Sequence, residues 1–224
     1  MTLKARRAWF VTGTDTGIGK THVACALLQV AAADGKSVLG LKPVASGCEA
    51  TPDGLRNDDA QRLMAASSVQ LPYAQVNPCA LAAPLSPHLA AAREGRTVRV
   101  AQLAGLVRGA IMQGRADVTL VEGAGGWRVP LNEQETMADL ARQLALPVLL
   151  VVGLRLGCIN HALLTAEAVR RDGLTLAGWI GNAIDPEMAA VDEVMNTLRA
   201  ALPAPCLGHL PWRETAGTLV LPAG

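Results

Sequence analysis

A glycine-rich segment near the start of the chain combines residue types that bind phosphate groups. Residues 11–21, VTGTDTGIGKT, pass from apolar side chains through three glycines into a helical pattern. Glycines let backbone N–H groups turn toward phosphate oxygens, and the start of a helix adds positive potential. In such a loop Lys20 would reach the β- and γ-phosphates of a nucleotide, and the Thr21 hydroxyl would bind Mg²⁺.

The spacing of this loop differs from the common phosphate-loop pattern. Five residues separate Gly13 from Gly19, one more than in G-x-x-x-x-G-K-[ST], so Thr14 stands where a glycine is expected. A structural glycine turn before a helix is the alternative. The Gly-Lys-Thr triplet at a predicted helix start, directly after a predicted strand, favours phosphate binding.

A lysine and a glutamate end two further predicted strands. Pro43 biases Lys42 toward an extended conformation, which places Lys42 at a strand end, where a second cation would stabilise a phosphoryl group in transfer. By itself, a lysine at a strand end is more often a solvated charge. Glu122 follows the apolar VTLV segment and precedes Gly123-Ala124-Gly125-Gly126, the arrangement of an acid that holds Mg²⁺. Asp59 offers another carboxylate, although its position also fits a helix N-cap or first turn.

Residues 157–161, GCINH, also lie where a strand and turn give way to a helix. Exposed N–H groups there could bind a carboxylate, but the spacing by itself favours an ordinary helix start. The four histidines lack metal-ligand spacing. We find neither a Ser-His-Asp order nor a context for a nucleophilic cysteine.

Short β-branched runs alternate with longer Ala- and Leu-rich stretches, and this pattern predicts the elements that position these residues. The predicted strands are residues 8–12, 37–42, 118–122, 147–152, 176–181 and 206–210. The predicted helices are residues 20–33, 58–66, 100–113, 137–144, 158–171 and 188–201. Uninterrupted apolar strands indicate burial on both faces. We therefore predict an α/β fold, a doubly wound, mostly parallel sheet with helices on both faces, in one P-loop NTPase-like domain over residues 1–224.

Helix ends and one long loop complete the predicted organisation. Asp34-Gly35 and Asp172-Gly173 are typical of helix termini. Residues 72–87 contain four prolines without a clear period, and we predict a long ordered loop or lid there.

The composition excludes several classes of partner. A formal net charge of +1 argues against nucleic acid and against an anionic membrane surface. The longest apolar run, residues 146–154, is far shorter than the roughly 20 residues that cross a bilayer. The five cysteines are scattered, without a C-x-x-C pair, which is typical of a reducing compartment. We expect a soluble, cytoplasmic protein.

Taken together, these motifs resemble those of the dethiobiotin synthetase family. The matching segments are GTDT at 13–16, GKT at 19–21, KPVASG at 42–47, LRN at 55–57 with Asp59, SPH at 86–88, VEGAGG at 121–126, GCINH at 157–161, and LAGW at 176–179 with Asn182. They keep the order of the family over residues 9–212, and the five-residue spacing in the loop is itself the family's form. Gly17, Ala183 and residues 213–215 depart from the family pattern, which bears on selectivity for the nucleotide base.

The resemblance implies a reaction in which 7,8-diaminononanoate, CO₂ (or bicarbonate as its source) and ATP give dethiobiotin, ADP and phosphate. One amine would form a carbamate, ATP would phosphorylate that carbamate, and the second amine would close the ureido ring. Mg²⁺ is the implied cofactor, held by Thr21, Asp59 and Glu122. The implied catalytic residues are Lys42 and Lys20, whose charges would offset the repulsion between carbamate and γ-phosphate.

The resemblance also implies contacts with both substrates. Nucleotide contacts would come from Gly17, Ile18, Gly19, Lys20, Thr21, His22, Asp59, Glu122, Gly123, Ala124, Gly125, Asn182, Pro211 and Trp212. Among these, Asn182 would read the adenine, with Pro211 and Trp212 in a loop on the adenine side. The carbamate end of the substrate would meet Thr16, Lys42 and Ser46. The family works as a homodimer with the active site at the subunit interface, where Gly157, Cys158 and Asn160 would hold the substrate's tail carboxylate in the partner's site.

Three alternatives stay open at this point. A P-loop nucleotide switch of the partitioning or metal-insertion type usually carries an extra lysine early in the loop, where this chain has Thr14-Asp15-Thr16. A related amide-forming synthetase of cofactor biosynthesis would keep the ATP chemistry and change the substrate. An inactive paralogue is disfavoured by the presence of Lys20, Thr21, Lys42 and Glu122.

Overall fold

A computed structural model describes residues 7–214 and 218–222 of the chain; the predicted domain's remaining residues, including Thr215 of the divergent 213–215 segment, lie outside the described residues. The strands are β1 (Arg7–Gly13), β2 (Val38–Leu41), β3 (Val44–Ser46), β4 (Glu49–Thr51), β5 (Gly54–Arg56), β6 (Cys79–Leu81), β7 (Val118–Glu122), β8 (Val148–Leu154), β9 (Leu176–Ala183) and β10 (Cys206–Leu210). The helices are α1 (Lys20–Ala33), α2 (Asp58–Ala66), α3 (Tyr73–Val76), α4 (Pro87–Arg93), α5 (Val100–Gly114), α6 (Met137–Leu144), α7 (Cys158–Arg171) and α8 (Val191–Ala201).

Six strands form a central sheet in the order β10-β9-β8-β1-β7-β2, and every neighbouring pair is parallel. Every residue of β7 and β8 is buried, as expected for strands covered by helices on both faces. The chain leaves β1 toward β2 on one side and later crosses to β8 on the other. The carboxyl end of β1 is therefore a topological switch point, where such sheets bind ligands.

Side chains alternate along β1 between two buried layers. Trp9 and Val11 pack with α1 on one face, while Phe10 packs on the opposite face in the layer that contains α5, α6 and α7. Successive residues of a strand point to opposite faces, so β1 anchors both helical layers at once. This anchoring fixes the backbone directly before the glycine-rich loop.

The sheet confirms the predicted α/β architecture closely. All six predicted strands lie in the central sheet, and four predicted helices have the predicted bounds. Asp34 and Asp172 are the C-terminal caps of α1 and α7, each followed by a glycine with positive φ. The predicted start of the last helix at residue 188 is wrong: α8 begins at Val191 because Ala190 adopts a left-handed conformation, with φ of 60°.

The predicted loop at residues 72–87 is wrong in part. This segment contains α3 and β6, and β6 pairs in parallel with β3, with Val44 opposite Cys79. Such a three-residue strand is stabilised by its partner 35 positions earlier in the chain and therefore leaves no local period in the sequence. Pro87 begins α4, where its missing N–H costs nothing.

Among the described residues, every helix is too short or too polar to cross a membrane.

Candidate active site

The glycine-rich loop, residues 13–21, here called the P-loop, connects the carboxyl end of β1 to α1. Gly17 and Gly19 have positive φ values of 73° and 81°, which residues with a Cβ rarely adopt. Gly19 is the N-cap of α1 and supplies no side-chain hydrogen bond to the first turn. The N–H groups in the first turn of α1 are therefore available to donate hydrogen bonds to an anion in the loop.

Lys20 extends back along the P-loop. Its Nζ donates to the Asp15 carbonyl at 2.9 Å, and its side chain is largely buried. Burial, and then the nearby Lys42 charge, lower the pKa of Lys20 to about 8. An anionic ligand in the loop would oppose both effects and favour the ammonium form.

Thr21, Lys42, Asp59 and Glu122, here called the lysine–carboxylate cluster, converge beside the P-loop. Lys42 Nζ lies 2.5 Å from Glu122 Oε1 and 3.1 Å from Asp59 Oδ2. The Thr21 hydroxyl donates to the same Glu122 oxygen at 2.9 Å and is also within hydrogen-bonding reach of Asp59. The carboxyl ends of β2 and β7 and the starts of α1 and α2 thus bring four predicted site residues into contact.

Burial and charge act in opposite directions within this cluster. Burial by itself would lower the pKa of Lys42, but the charges of Glu122 and Asp59 outweigh burial and raise that pKa above its ordinary value. Burial would raise the pKa of Asp59, whereas Lys42 and the Thr21 hydroxyl lower it. Lys42 is therefore an ammonium ion, and Asp59 a carboxylate, at neutral pH.

The cluster offers the oxygen ligands that Mg²⁺ prefers. Glu122 is completely buried, and its Oε2 has no hydrogen-bond partner among the described residues, so this oxygen is available to a cation. In the described part of the chain, no group of three or more His, Cys, Asp or Glu side chains could hold a metal. One hydroxyl and two carboxylates fit Mg²⁺ bound jointly with nucleotide phosphates, because Mg²⁺ seldom uses an all-protein cage.

A cavity of about 610 Å³ opens beside the cluster. Its lining includes eight predicted residues, namely Thr16, Gly17, Lys20, Lys42, Ser46, Asp59, Ala124 and Gly125. The Ser46 Oγ atom is buried and has no hydrogen-bond partner among the described residues. The residue-by-residue prediction missed Asn57, Ala45, Pro84, Leu85, Ser86, Pro87 and Val129, which also line the cavity. Of these, Asn57, Ala45, Ser86 and Pro87 lay within matched motifs, whereas the apolar Leu85 and Val129 carry no recognisable sequence signal.

A second group of predicted residues lies at the opposite side of the P-loop. Asn182 is buried at the carboxyl end of β9, and its Nδ2 donates to the Ile18 carbonyl at 2.8 Å. His22 Nε2 lies 2.7 Å from the Glu214 carbonyl, which ties α1 to the segment after β10. Trp212 of that segment is 40% exposed. This group holds the loop and α1 in place and leaves an indole surface open beside them.

The predicted carboxylate-binding residues at the start of α7 are separate from the cavity. Gly157, with φ of 91°, is the N-cap of α7, Cys158 is buried and Asn160 is exposed. None of the three is among the residues that line the cavity. Arg155, in the turn before α7, instead forms a 2.5 Å ion pair with Asp15 of the P-loop.

Comparison with known proteins gives a consistent result. A family model described as "AAA domain" matches residues 7–218. The ATP-dependent dethiobiotin synthetase BioD of Marinobacter nauticus is 53% identical over 98% of this chain and 94% of its own length. The BioD proteins of Cellvibrio japonicus and Pseudomonas aeruginosa are each 56% identical, over 92% and 93% of this chain and 90% and 91% of their own lengths.

Two solved structures that resemble the fold are much more distant in sequence than these relatives. Chloroplast FtsY from Physcomitrella patens superposes with a TM-score of 0.55 at 18% identity, and covers 94% of this chain. The cell division protein FtsY from Thermotoga maritima gives 0.57 at 16% identity and covers 99%. This chain spans only 60% and 66% of those chains, and the likeness shows the fold alone.

The parallel sheet, the P-loop at its switch point and the acid at the end of β7 define a P-loop nucleotide-binding protein. The similarity over nearly the full length of curated relatives narrows that class further. The chain belongs to the dethiobiotin synthetase family.

Proposed function

We propose that this chain forms the ureido ring of dethiobiotin from 7,8-diaminononanoate, CO₂ and ATP, with release of ADP and phosphate. Family membership makes the chain an ATP-dependent ligase that closes a ring through carbon–nitrogen bonds. The observation that carries the residue roles is the contact between Lys42, Glu122 and Asp59 at the wall of the cavity that Lys20 also lines. The positive charges of Lys20 and Lys42 at this cavity would offset the repulsion between two anions, the carbamate and the γ-phosphate.

The chemistry needs positioning and charge more than a dedicated acid and base. The carbamate formed on one amine attacks the γ-phosphorus of ATP, so that a carbamic–phosphoric anhydride forms and ADP leaves. The second amine then attacks the carbonyl carbon and expels phosphate. Lys20 and Lys42 stabilise the negative charge that the carbamate and the phosphoryl group bring together.

Thr21, Asp59 and Glu122 are the residues that would hold Mg²⁺, which when bound neutralises charge on the β- and γ-phosphates. In the described structure Lys42 Nζ contacts both carboxylates. Asp59 and Glu122 can contact both Mg²⁺ and Lys42. We therefore assign them a second role, which is to hold the Lys42 ammonium in position beside the substrate.

Nucleotide and diamine occupy neighbouring regions in this proposal. The P-loop residues Gly17, Ile18, Gly19, Lys20, Thr21 and His22, with Gly123, Ala124 and Gly125, bind the phosphates, and Asn182, Pro211 and Trp212 lie on the adenine side. Thr16, Ser46 and Lys42 contact the carbamate. The apolar side chains of Pro84, Leu85 and Val129 line the same cavity and suit the alkyl chain of the diamine.

Ser46 provides a direct test of carbamate binding. Because its buried hydroxyl has no partner among the described residues, Ser46→Ala should leave the melting temperature unchanged or slightly higher. The lost hydrogen bond to an anion should lower kcat/KM for the diamine about tenfold. Thermal unfolding and steady-state kinetics give both values. A lower melting temperature with unchanged kcat/KM would show that the hydroxyl has a structural role instead.

A homodimer with shared active sites completes the proposal. The start of α7 is separate from the cavity of its own chain, and Leu156 and Leu164 nearby are 99% and 58% exposed. Exposed leucines in such a patch favour an interface. Gly157, Cys158 and Asn160 would then bind the tail carboxylate in the partner's cavity through the N-terminus of α7.

Location and domain organisation follow from the same chemistry. We place the chain in the cytoplasm because its five cysteines are free and its reaction consumes ATP. Residues 1–224 form one synthetase domain in this proposal, and two such domains together supply the contacts of each active site. The net charge of +1 supports small-molecule partners rather than nucleic acid or a membrane.

The decisive assay combines purified protein with ATP, Mg²⁺, bicarbonate and 7,8-diaminononanoate. We expect dethiobiotin by mass spectrometry in equal amount to ADP, and little ADP when the diamine is omitted. A panel of other amines would detect an amide-forming synthetase. ADP release that is independent of the diamine would contradict the proposal and favour a nucleotide switch.

A further inference from the structure

Both backbone polar groups of Lys42 are held by the end of α3, a segment that the reaction scheme does not use. The Lys42 N–H donates to the Val76 carbonyl at 2.9 Å, and the Lys42 carbonyl accepts from Asn77 Nδ2 at 2.6 Å. Asn77 is 3% exposed. A buried amide with a backbone partner holds its position firmly, since an unmade bond there is costly.

Tyr73 orients the Asn77 amide. The Tyr73 hydroxyl accepts the Asn57 N–H at 2.8 Å and donates to Asn77 Oδ1 at 3.1 Å. Because a backbone N–H can only donate, the hydroxyl proton must point to another acceptor, which is Asn77 Oδ1. The Asn77 NH₂ group is thereby directed at the Lys42 carbonyl.

The same chain of hydrogen bonds returns to the Lys42 side chain through α2. Asn57 is the N-cap of α2, and its Oδ1 accepts the Ala60 N–H at 3.2 Å. Asp59 lies in that first turn, and its carboxylate is 3.1 Å from Lys42 Nζ. One arm of the network therefore holds the Lys42 backbone, and the other fixes the first turn of α2, which carries the Asp59 carboxylate that pairs with the Lys42 ammonium.

The aromatic ring of Tyr73 is held as well. The Arg56 guanidinium lies 4.3 Å from the ring centroid, within the range of a cation–π contact. Arg56 directly precedes Asn57, so the ring and the hydroxyl both contact the segment that begins α2. The ring contact and the hydroxyl bonds together fix Tyr73 between Asn77 and the start of α2.

We propose that Tyr73 and Asn77 are positioning residues that set the Lys42 ammonium against Asp59, so that Lys42 reaches the reacting phosphoryl group. This inference rests on the proposed role of Lys42. A lysine has a flexible four-carbon stem, and its ammonium is placed accurately only when both the backbone and the counter-ion are fixed. A small displacement from loss of either residue slows the reaction, because phosphoryl transfer depends on alignment.

The chain offers a matched control for Tyr73→Phe. The buried Ser67 hydroxyl likewise accepts a backbone N–H, from Gly40 at 2.9 Å, and donates to an oxygen, the Leu63 carbonyl at 2.7 Å. Gly40 lies on β2, the strand that leads to Lys42, but Ser67 contacts neither Lys42 nor α3 in these bonds. Ser67→Ala therefore removes the same kind of group near the same strand without opening the network.

Kinetics should separate the two variants. Tyr73→Phe should lower kcat for dethiobiotin formation about tenfold and change KM for ATP by less than about threefold. Ser67→Ala should keep kcat within about twofold of wild type, even if its melting temperature falls as much as that of Tyr73→Phe. The positioning role is overturned if kcat of Tyr73→Phe falls no further than that of Ser67→Ala.

Tyr73 is the only tyrosine in the chain, so ¹³Cζ-tyrosine labelling gives one resonance from its hydroxyl-bearing carbon. Asn77→Ala should shift this resonance, and Ser67→Ala should leave it in place. An unshifted resonance in Asn77→Ala would overturn the network. A wild-type protein that forms no dethiobiotin would overturn the proposed function, and the resonance would still test the contacts of Tyr73.

Discussion

Lys42→Gln should lower kcat for dethiobiotin formation by about 10²–10³-fold while the Kd of Mg-ATP changes little. Removing one charge or donor that stabilises the transition state typically has an effect of this size. In the proposed site, phosphate contacts come from the P-loop, with Lys20 and the start of α1, and Lys42→Gln leaves these groups in place. Steady-state kinetics and calorimetric titration with a non-hydrolysable ATP analogue give the two quantities.

Loss of stability has to be separated from loss of catalysis in this variant. Lys42 is the ammonium partner of the fully buried Glu122, and breaking a buried ion pair costs about 3–5 kcal/mol of unfolding free energy. Leu39→Ala, on β2, the strand that leads to Lys42, is a suitable control because Leu39 is buried and such truncations cost about 2–5 kcal/mol. We expect Leu39→Ala to keep kcat within a few fold. Similar losses of kcat in both variants would remove Lys42 from the mechanism.

The P-loop and its flanking elements were predictable because their signals are local. A buried strand, three glycines and a Gly-Lys-Thr triplet lie within residues 8–21, and the helix that follows has the predicted bounds. Pro43 indicated that a strand ends at Lys42, and β2 ends at Leu41, one residue before Lys42. The predicted pieces are those whose conformation is decided by neighbours in sequence.

The contacts among those pieces could not be predicted from the residues alone. Thr21 and Lys42 meet Glu122 across 101 and 80 residues of chain, and the meeting depends on the strand order that places β7 between β1 and β2. Several strand orders satisfy the same hydrophobic pattern. The family resemblance, rather than periodicity, brought Asp59 and Ser46 into the predicted site.

The segment at 72–87 shows why non-local structure escaped prediction. Its α3 and β6 are short, and both are stabilised by residues around Lys42 that lie more than 30 positions earlier. Tyr73 and Asn77 are four positions apart, which is ordinary helical spacing. Their bonds to Asn57 and Lys42 depend on tertiary structure and left no pattern to detect.

Mixing two inactive variants tests whether active sites are shared between subunits. Asn160→Asp places a negative charge at the start of α7, and like charges should lower kcat/KM for the diamine about 10²-fold. In a heterodimer of Lys42→Gln with Asn160→Asp, one site carries both defects and the other carries neither. After subunit exchange of an equal mixture, half the dimers are mixed, so about a quarter of wild-type activity should return. Recovery no greater than the sum of the separate variants would contradict shared sites.

The converse mixture provides an independent control for the same geometry. In this mixture, a subunit with both Lys42→Gln and Asn160→Asp is combined with an equal amount of wild type. If each site uses both chains, both sites of every heterodimer are inactive, because one contains the Lys42→Gln substitution and the other contains Asn160→Asp. Only wild-type homodimers then act, and about a quarter of full activity remains. If each chain had a complete site of its own, every wild-type subunit would stay active and about half would remain. The two values follow from symmetry alone, so the assay distinguishes a shared site from an independent one without knowing how strongly either residue binds.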